Sequence, residues 1–333
     1  MGAFSRLGND LYTGQRSVNI VGRRKLWYSI SIVLVLISII GPILRGGFNF
    51  GIEFTGGSEF VVSNSATTDQ SLAVGAVQSV EPNMVPKVSL LGQSAIRVQT
   101  GQLSADQSRD VRVSLAKAYA VPVESVASSF IGASWGQDVT QQAIRGLLVF
   151  LLLAALVMTI YFRTWKMSLV AIVALIHDLV ITAGIYGITG FEVTPGAVIG
   201  LLTILGYSLY DTVVVFDKIR ENTMGASRQS GLTFAGQVNL AVNQTLVRSI
   251  NTSVVAALPV ASILFIGAFV LGAGTLRDIS LALLLGIIVG TYSTIFLATP
   301  MYAQLREREP AIAKADKKLK ASQPADSAEV VSA

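Results

Sequence analysis

The chain contains no cysteine and a single histidine, His177. Without thiols it forms no disulfide and no Cys-ligated metal site, and one imidazole cannot build a multi-histidine site. No metal or other cofactor is therefore expected. Charge is also scarce. Asp, Glu, Lys and Arg make up 14% of 333 residues, against roughly a quarter in soluble domains. The common catalytic signatures are missing too: there is no GxGxxG, P-loop or H-E-x-x-H. Tyr210-Asp211 would suit an intramembrane aspartyl protease only with a second carboxylate, usually in a G-x-G-D motif, which is absent. The chain does not read as an enzyme.

What is abundant is hydrophobicity, at 52% of residues. Apolar runs long enough to cross hydrocarbon, roughly 20 residues each, predict transmembrane spans at 26–44, 142–162, 167–189, 194–216, 250–272 and 279–301. The first run is too long for a signal h-region and ends in Gly41-Pro42 rather than a small-residue cleavage site, so it reads as a permanent span. The expected class is an α-helical integral membrane protein with six transmembrane helices.

Lys and Arg gather in 1–25, in the short turn at 163–166, in 217–249 and after 305. The other short loops are nearly bare of them, and the long segment 45–141 counts little under the positive-inside rule. Both termini are expected on the cytoplasmic side of a cytoplasmic membrane. The net charge of +5 sits beside spans and marks a contact with the lipid bilayer, not a nucleic-acid surface. The organisation read this way is a cytoplasmic segment 1–25, span 1, an extracytoplasmic domain 45–141, a five-helix bundle 142–305 containing the cytoplasmic loop 217–249, and a disordered tail 306–333.

In the outer segment, Phe48, Phe50, Ile52 and Phe54 have strand spacing. Thr68–Val80 reads as a helix. Lys87–Leu91 and Ser94–Thr100 read as a hairpin around Gly92-Gln93, and Ser104–Tyr119 as a helix opened by a capping box at Ser104 and Gln107. Val126–Trp135 reads as a last strand. The order β-α-β-β-α-β is that of a ferredoxin-like α+β domain between spans 1 and 2. In 217–249 the apolar stripe Ala235, Val238, Val242 and Leu246 predicts a helix lying on the inner leaflet.

Few charges fall inside the spans. Asp211 lies well within the fourth, and a mid-span carboxylate costs roughly 2.5–3.5 kcal/mol on insertion scales. Gly196, Gly200, Thr203 and Tyr207 share its helical stripe, which should face other helices. Asp211 is either a proton site or a hydrogen-bonded packing residue. His177-Asp178, near the middle of the third span, is either a relay or an interhelical hydrogen bond. Arg248, at the inner edge of the fifth span, either pairs with Asp211 or snorkels to the interface. Gly196–Gly200 and Gly286–Gly290 fit small-xxx-small helix packing.

Three stretches carry a resemblance: Phe50-Gly-Ile-Glu-Phe-Thr-Gly56-Gly57, the run from Gly206 to Asn222, and the run from Asn243 to Thr252. With His177-Asp178, the topology and the loop sizes, the chain resembles the SecF branch of the SecD/SecF family, within the resistance-nodulation-division (RND) superfamily. Tyr210 departs from that pattern, where an Asn usually precedes the in-span acid. The resemblance implies an auxiliary subunit of the SecYEG export channel, whose motor is SecA. It would act with SecD and use the proton motive force in late steps of moving an unfolded polypeptide across the membrane. It also implies that Asp211 and Arg248 lie on the proton path. The alternative is a half-size RND-type exporter of lipids or small molecules.

Overall fold

The computed structural model describes residues 3–92, 94–224, 231–267 and 274–322. Helix α1 (Ala3–Thr13) precedes α2 (Arg24–Leu44), the first of six helices long and apolar enough to cross a membrane. After α2 the backbone departs from the expected strand. Only Asn49–Phe50 is extended (β1), and Ile52–Thr55 turns into a short helix, α3. The alternating phenylalanines also sit four apart, which is one helical turn. The Phe50 and Phe54 rings pack edge-on with centroids 5.9 Å apart, so the same spacing serves a turn as well as a strand.

Gly56 ends that turn, its N–H donating to the Ile52 carbonyl at 2.8 Å with φ 76°. Gly57 follows with φ 151°, and a Cβ there would collide with the Thr100 carbonyl. The paired glycines thus let the chain enter the sheet where a side chain would not fit. The sheet's first strand is β2 (Gly57–Val62), later than the sequence pattern suggests. Then come α4 (Gln70–Gln78), β3 (Lys87–Leu91), β4 (Ala95–Thr100), α5 (Ala105–Ala118) and β5 (Val126–Ile131). The strand order is β3-β4-β2-β5, antiparallel throughout, so the ferredoxin-like order holds with a shifted first strand. Residue Gln93, at the expected hairpin tip, lies outside the described residues.

Both helices cover one face of this sheet. Phe60 and Val62 of β2, Ile96 and Val98 of β4, and Val111 and Leu115 of α5 form its core. Each such side chain contributes about 1.5–3 kcal/mol by leaving water. The predicted capping box is present: Gln107 N–H donates to Ser104 Oγ at 3.2 Å and Ser104 N–H to Gln107 Oε1 at 2.8 Å.

The bundle continues with α6 (Ala133–Phe162), α7 (Trp165–Thr189), a two-residue strand β6 (Glu192–Val193), α8 (Pro195–Thr223), α9 (Phe234–Phe265) and α10 (Gly274–Tyr292). A π-helical segment, Ser293–Ala298, joins α10 to α11 (Thr299–Glu307), and the three form one span. Strand β6 pairs in parallel with β1, tying the α7–α8 connection to the chain just after span 1. α7 and the final span are buried along more than half of their most apolar stretch, whereas α2, α6 and α9 are buried along less than a fifth. The first two therefore form the centre, and the others turn most of their surface outward.

Two expectations are corrected here. The amphipathic stretch from Leu232 does not form a separate surface helix. α9 starts at Phe234, capped by Thr233 Oγ1, which accepts from Gly236 N–H at 3.2 Å, and runs into the span without a break. Its stripe packs into the bundle core, where Val238, Ala241 and Val242 are buried against Phe216, Ile219 and Tyr302. The tail after 306 is helical over its described part as α12 (Pro310–Ser322), and Asp316 accepts the Phe234 N–H at 3.0 Å. Residues 323–333, Arg228 and the end of the expected fifth span, 268–272, lie outside the described residues.

Candidate functional site

Helix α8 carries Asp211 into the bundle because its other inward positions are small or apolar: Gly196, Ala197, Gly200, Ile204 and Ser208 are buried on it. The Asp211 side chain is 5% exposed. Its Oδ1 accepts a hydrogen bond from Ser249 Oγ of α9 at 2.8 Å. Its Oδ2 is buried and has no hydrogen-bond partner among the described residues. A buried carboxylate oxygen without a donor is costly, so this acid is held half-satisfied.

Arg248 immediately precedes Ser249, and successive residues on a helix point about 100° apart. Ser249 turns toward α8, and Arg248 is exposed and forms no ion pair among the described residues. The contact that reaches the acid is thus a hydroxyl, one position beyond the arginine singled out from the sequence.

His177 and Asp178 are both buried, at 6% and 2% exposure. They touch each other, His177 Nδ1 lying 3.3 Å from Asp178 Oδ1. Asp178 Oδ2 accepts from Ser208 Oγ of α8 at 2.6 Å. His177 Nε2 is buried without a hydrogen-bond partner among the described residues, and its ring stacks on Tyr292 at 6.2 Å. Ser208 stands three residues before Asp211, so the two acids bracket one turn of α8.

Hydroxyls continue the arrangement around them. Tyr207 donates to Ser253 at 3.4 Å, and Ser253 lies 2.6 Å from Thr291 Oγ1. Thr212 meets Thr294 of the π-helical segment at 3.0 Å. Such segments recur at functional sites. Sequence reasoning missed Ser208, Ser249, Ser253, Thr291 and Thr294. The one available signal was hydroxyl side chains at helical spacing within apolar runs.

The expected small-residue faces meet each other. A Cβ at Gly200 would lie 2.8 Å from the Ala282 Cβ of α10, and Gly196 approaches Ile279 and Thr275. Gly286 abuts Ile204, and Gly290 abuts Ser208. α8 and α10 therefore cross closely at the level of the acids. Thr203 is an exception on its stripe: it is exposed, and its hydroxyl donates to its own helix at the Ile199 carbonyl, 2.7 Å away. Tyr210 also points outward, 55% exposed. Tyr210 makes no hydrogen bond to Asp211 among the described residues, and the acid's Oδ1 is held by Ser249.

Comparison with known proteins agrees with this architecture. Residues 111–308 match the protein export membrane protein SecD/SecF C-terminal family, and residues 43–63 match the SecD/SecF GG motif. The protein translocase subunit SecF of Streptomyces coelicolor is 46% identical over 312 residues, covering 93% of this chain and 82% of that one. SecF of Mycobacterium tuberculosis is 42% identical over 323 residues, covering 91% and 72%. The crystal structure of SecDF from Thermus thermophilus, described as a translocon-associated membrane protein, superposes with a TM-score of 0.74 at 29% identity. That match covers 88% of this chain and 39% of the SecDF chain, so this chain spans about two fifths of the larger protein. The chain is a multi-pass membrane protein and belongs to the SecD/SecF protein export family.

Proposed function

We propose that this chain is the SecF-type half of an accessory pair of the Sec translocase. Asp211 would be the group that carries protons through it. The observation that supports this most is the placement of Asp211: a buried carboxylate inside a span, anchored through one oxygen by Ser249 while the other has no donor among the described residues. Such a group can exchange a proton without first breaking a contact. Moving one charge across 100 mV is worth about 2.3 kcal/mol, and that is enough to shift a two-state equilibrium by more than tenfold. Asp178, held by Ser208 and His177, is the second candidate on the path, and Arg248 supplies the nearby positive charge.

This chain matches about two fifths of a SecDF chain, which supports a reading in which it acts together with a SecD-type part. A SecD-type subunit is the natural partner, with the SecYEG channel, its motor SecA and the emerging unfolded polypeptide beyond it. The excess of Lys and Arg in 1–25, 217–249 and after 305 supports a topology with both termini in the cytoplasm and the sheet domain outside.

Asp211→Asn tests the reading. Asparagine keeps the size and the Ser249 contact but cannot change charge. Export is measured into vesicles containing the variant and its partner, with and without a proton gradient. The gradient-dependent increment should vanish and ATP-driven export should remain. Full retention of the increment makes Asp211 a packing residue. Purification as an active homo-oligomer without a SecD-type chain would favour the exporter reading.

A further inference from the structure

Outside the bilayer, charges collect where the sheet domain meets the bundle. Arg97 of β4 lies 3.4 Å from Glu59 of β2 and 3.6 Å from Glu192 of β6. Lys87 of β3 reaches Glu192 at 3.2 Å and Asn49 at 2.8 Å. The Arg97 pairs are well shielded, with side-chain exposures of 14% for Arg97, 18% for Glu59 and 8% for Glu192, whereas Lys87 is 40% exposed. Since Glu192 belongs to the α7–α8 connection and the two cations to the sheet domain, these contacts bind one unit to the other.

A third acid stands beside them. Glu53 of α3 brings Oε2 into the junction, where that atom is buried and accepts no hydrogen bond among the described residues. A Cβ on Gly51 would meet that oxygen, and Glu192 Oε1 lies 3.3 Å from the same point. The charges facing Glu53 are Glu192, Glu59 and Arg97. From α6, which packs against α3, comes Gly136 against the Phe54 main chain, and the Asp138 side chain there is exposed. Arg97 is already shared between Glu59 and Glu192, and Lys87 is paired with Glu192. Three carboxylates thus meet two cations, and Glu53 is the one left over.

We infer that Glu53 is a second proton-binding site, outside the membrane span, and that its protonation latches the sheet domain onto the bundle. Burial, which comes first, and then the neighbouring Glu192 and Glu59 push the Glu53 carboxyl above the usual glutamate range; its own backbone hydrogen bond and Arg97 oppose them. When the junction opens, Glu53 is hydrated and its affinity for protons returns to the ordinary value. The closed junction therefore binds more protons than the open one. Closure is fully favoured below the ordinary glutamate pKa and is lost as pH rises through the elevated one. On the proposed topology this site faces the acidic side of a respiring membrane, so the latch closes when the gradient is high.

The absence of cysteine makes the test direct. Nitroxides are placed at Val113→Cys on α5 and Leu44→Cys at the end of α2, both exposed positions, in the full chain reconstituted in lipid. Pulsed dipolar spectroscopy from pH 4 to 8 reads their separation. A single short distance is expected at low pH. A longer population should grow with pH, by up to about tenfold per unit for one linked proton. The only histidine lies inside a span, so no imidazole of the sheet domain titrates in this window. Glu53→Gln should hold the short distance at every pH. Glu192→Gln, which frees Arg97 for Glu53, should move the midpoint to lower pH. Asp211→Asn should leave the titration as it is. A wild-type distance that ignores pH overturns the inference, as does a Glu53→Gln variant that titrates like wild type or an unmoved midpoint in Glu192→Gln. Loss of the titration in Asp211→Asn would assign it to the membrane site instead.

Discussion

Helix α9 delivers Ser249 to Asp211, and its first turns are gripped by the segment just before α2. Asn243, 1% exposed, accepts the Val18 N–H at 2.7 Å and donates to the Val18 carbonyl at 2.9 Å. One turn earlier Asn239 accepts from Ile20 and Val21 N–H at 2.9 and 3.0 Å and donates to the Val18 carbonyl at 3.1 Å. Asn243→Ala removes both bonds to Val18. At a net of roughly 0.5–1.5 kcal/mol each, residues 17–21 should lose about 1–3 kcal/mol of local stability. For local opening, that is a fall of about 5- to 150-fold in amide exchange protection at Val18, Ile20 and Val21. Asn239→Ala acts on the same segment, so the double variant should cost less than the sum of the singles, by about 0.5 kcal/mol or more. Hydrogen–deuterium exchange on the full chain in lipid measures both effects. Unchanged exchange at Val18 in Asn243→Ala, or strict additivity, would mean that the segment is held by its buried Ile20 and Val21 side chains, and not by the asparagines.

Gly286→Val puts a branched side chain against Ile204, whose Cγ2 and Cβ lie 2.7 and 2.9 Å from the position of the new Cβ. Overpacking of about 1–3 kcal/mol should lower the thermal midpoint in lipid, and Gly286→Ala should do so less; an unchanged midpoint in both would mean the α8–α10 crossing is loose. Arg248→Lys should keep part of the gradient-driven export, because the charge remains, whereas Arg248→Met should lose most of it. Full activity in both would leave Arg248 as an interface anchor. Reporters fused at Gly101 and Gly231 should read as external and internal respectively, and the reverse result would invert the proposed topology.

The parts of this protein legible in sequence are those where one pattern has one structural solution. Twenty apolar residues without charge can only be a span or a deep core, and six such runs leave little choice. The capping box at Ser104 and Gln107 is local chemistry and appears as read. An acid inside a run, such as Asp211 or Asp178, must be buried among helices, and both are. Where a pattern has two solutions, reading went astray. Phe50 and Phe54 are spaced both for alternate strand positions and for one helical turn, and the turn prevailed because Gly56 and Gly57 end it abruptly.

The stripe through Val238 and Val242 has the same period whether lipid or protein covers it. Here the partners lie far away in sequence: Phe216 and Tyr302 pack on that face, and the segment of Ile20 and Val21 joins them. The hydroxyls pose the sharpest form of this ambiguity. Ser and Thr in a span usually satisfy themselves on the carbonyl four residues back, as Thr203 and Thr252 do. Ser208 and Ser249 instead reach across to Asp178 and Asp211. Nothing in their own turns distinguishes the two habits. The distinction comes from the close α8–α10 crossing and from α9 lying beside α8, which bring an acceptor with a stronger claim than a backbone carbonyl. Glu53 is hidden for the same reason. In sequence it is one glutamate between the phenylalanines of a short motif, and burial in the junction beside Glu192 and Glu59 makes it the surplus charge there.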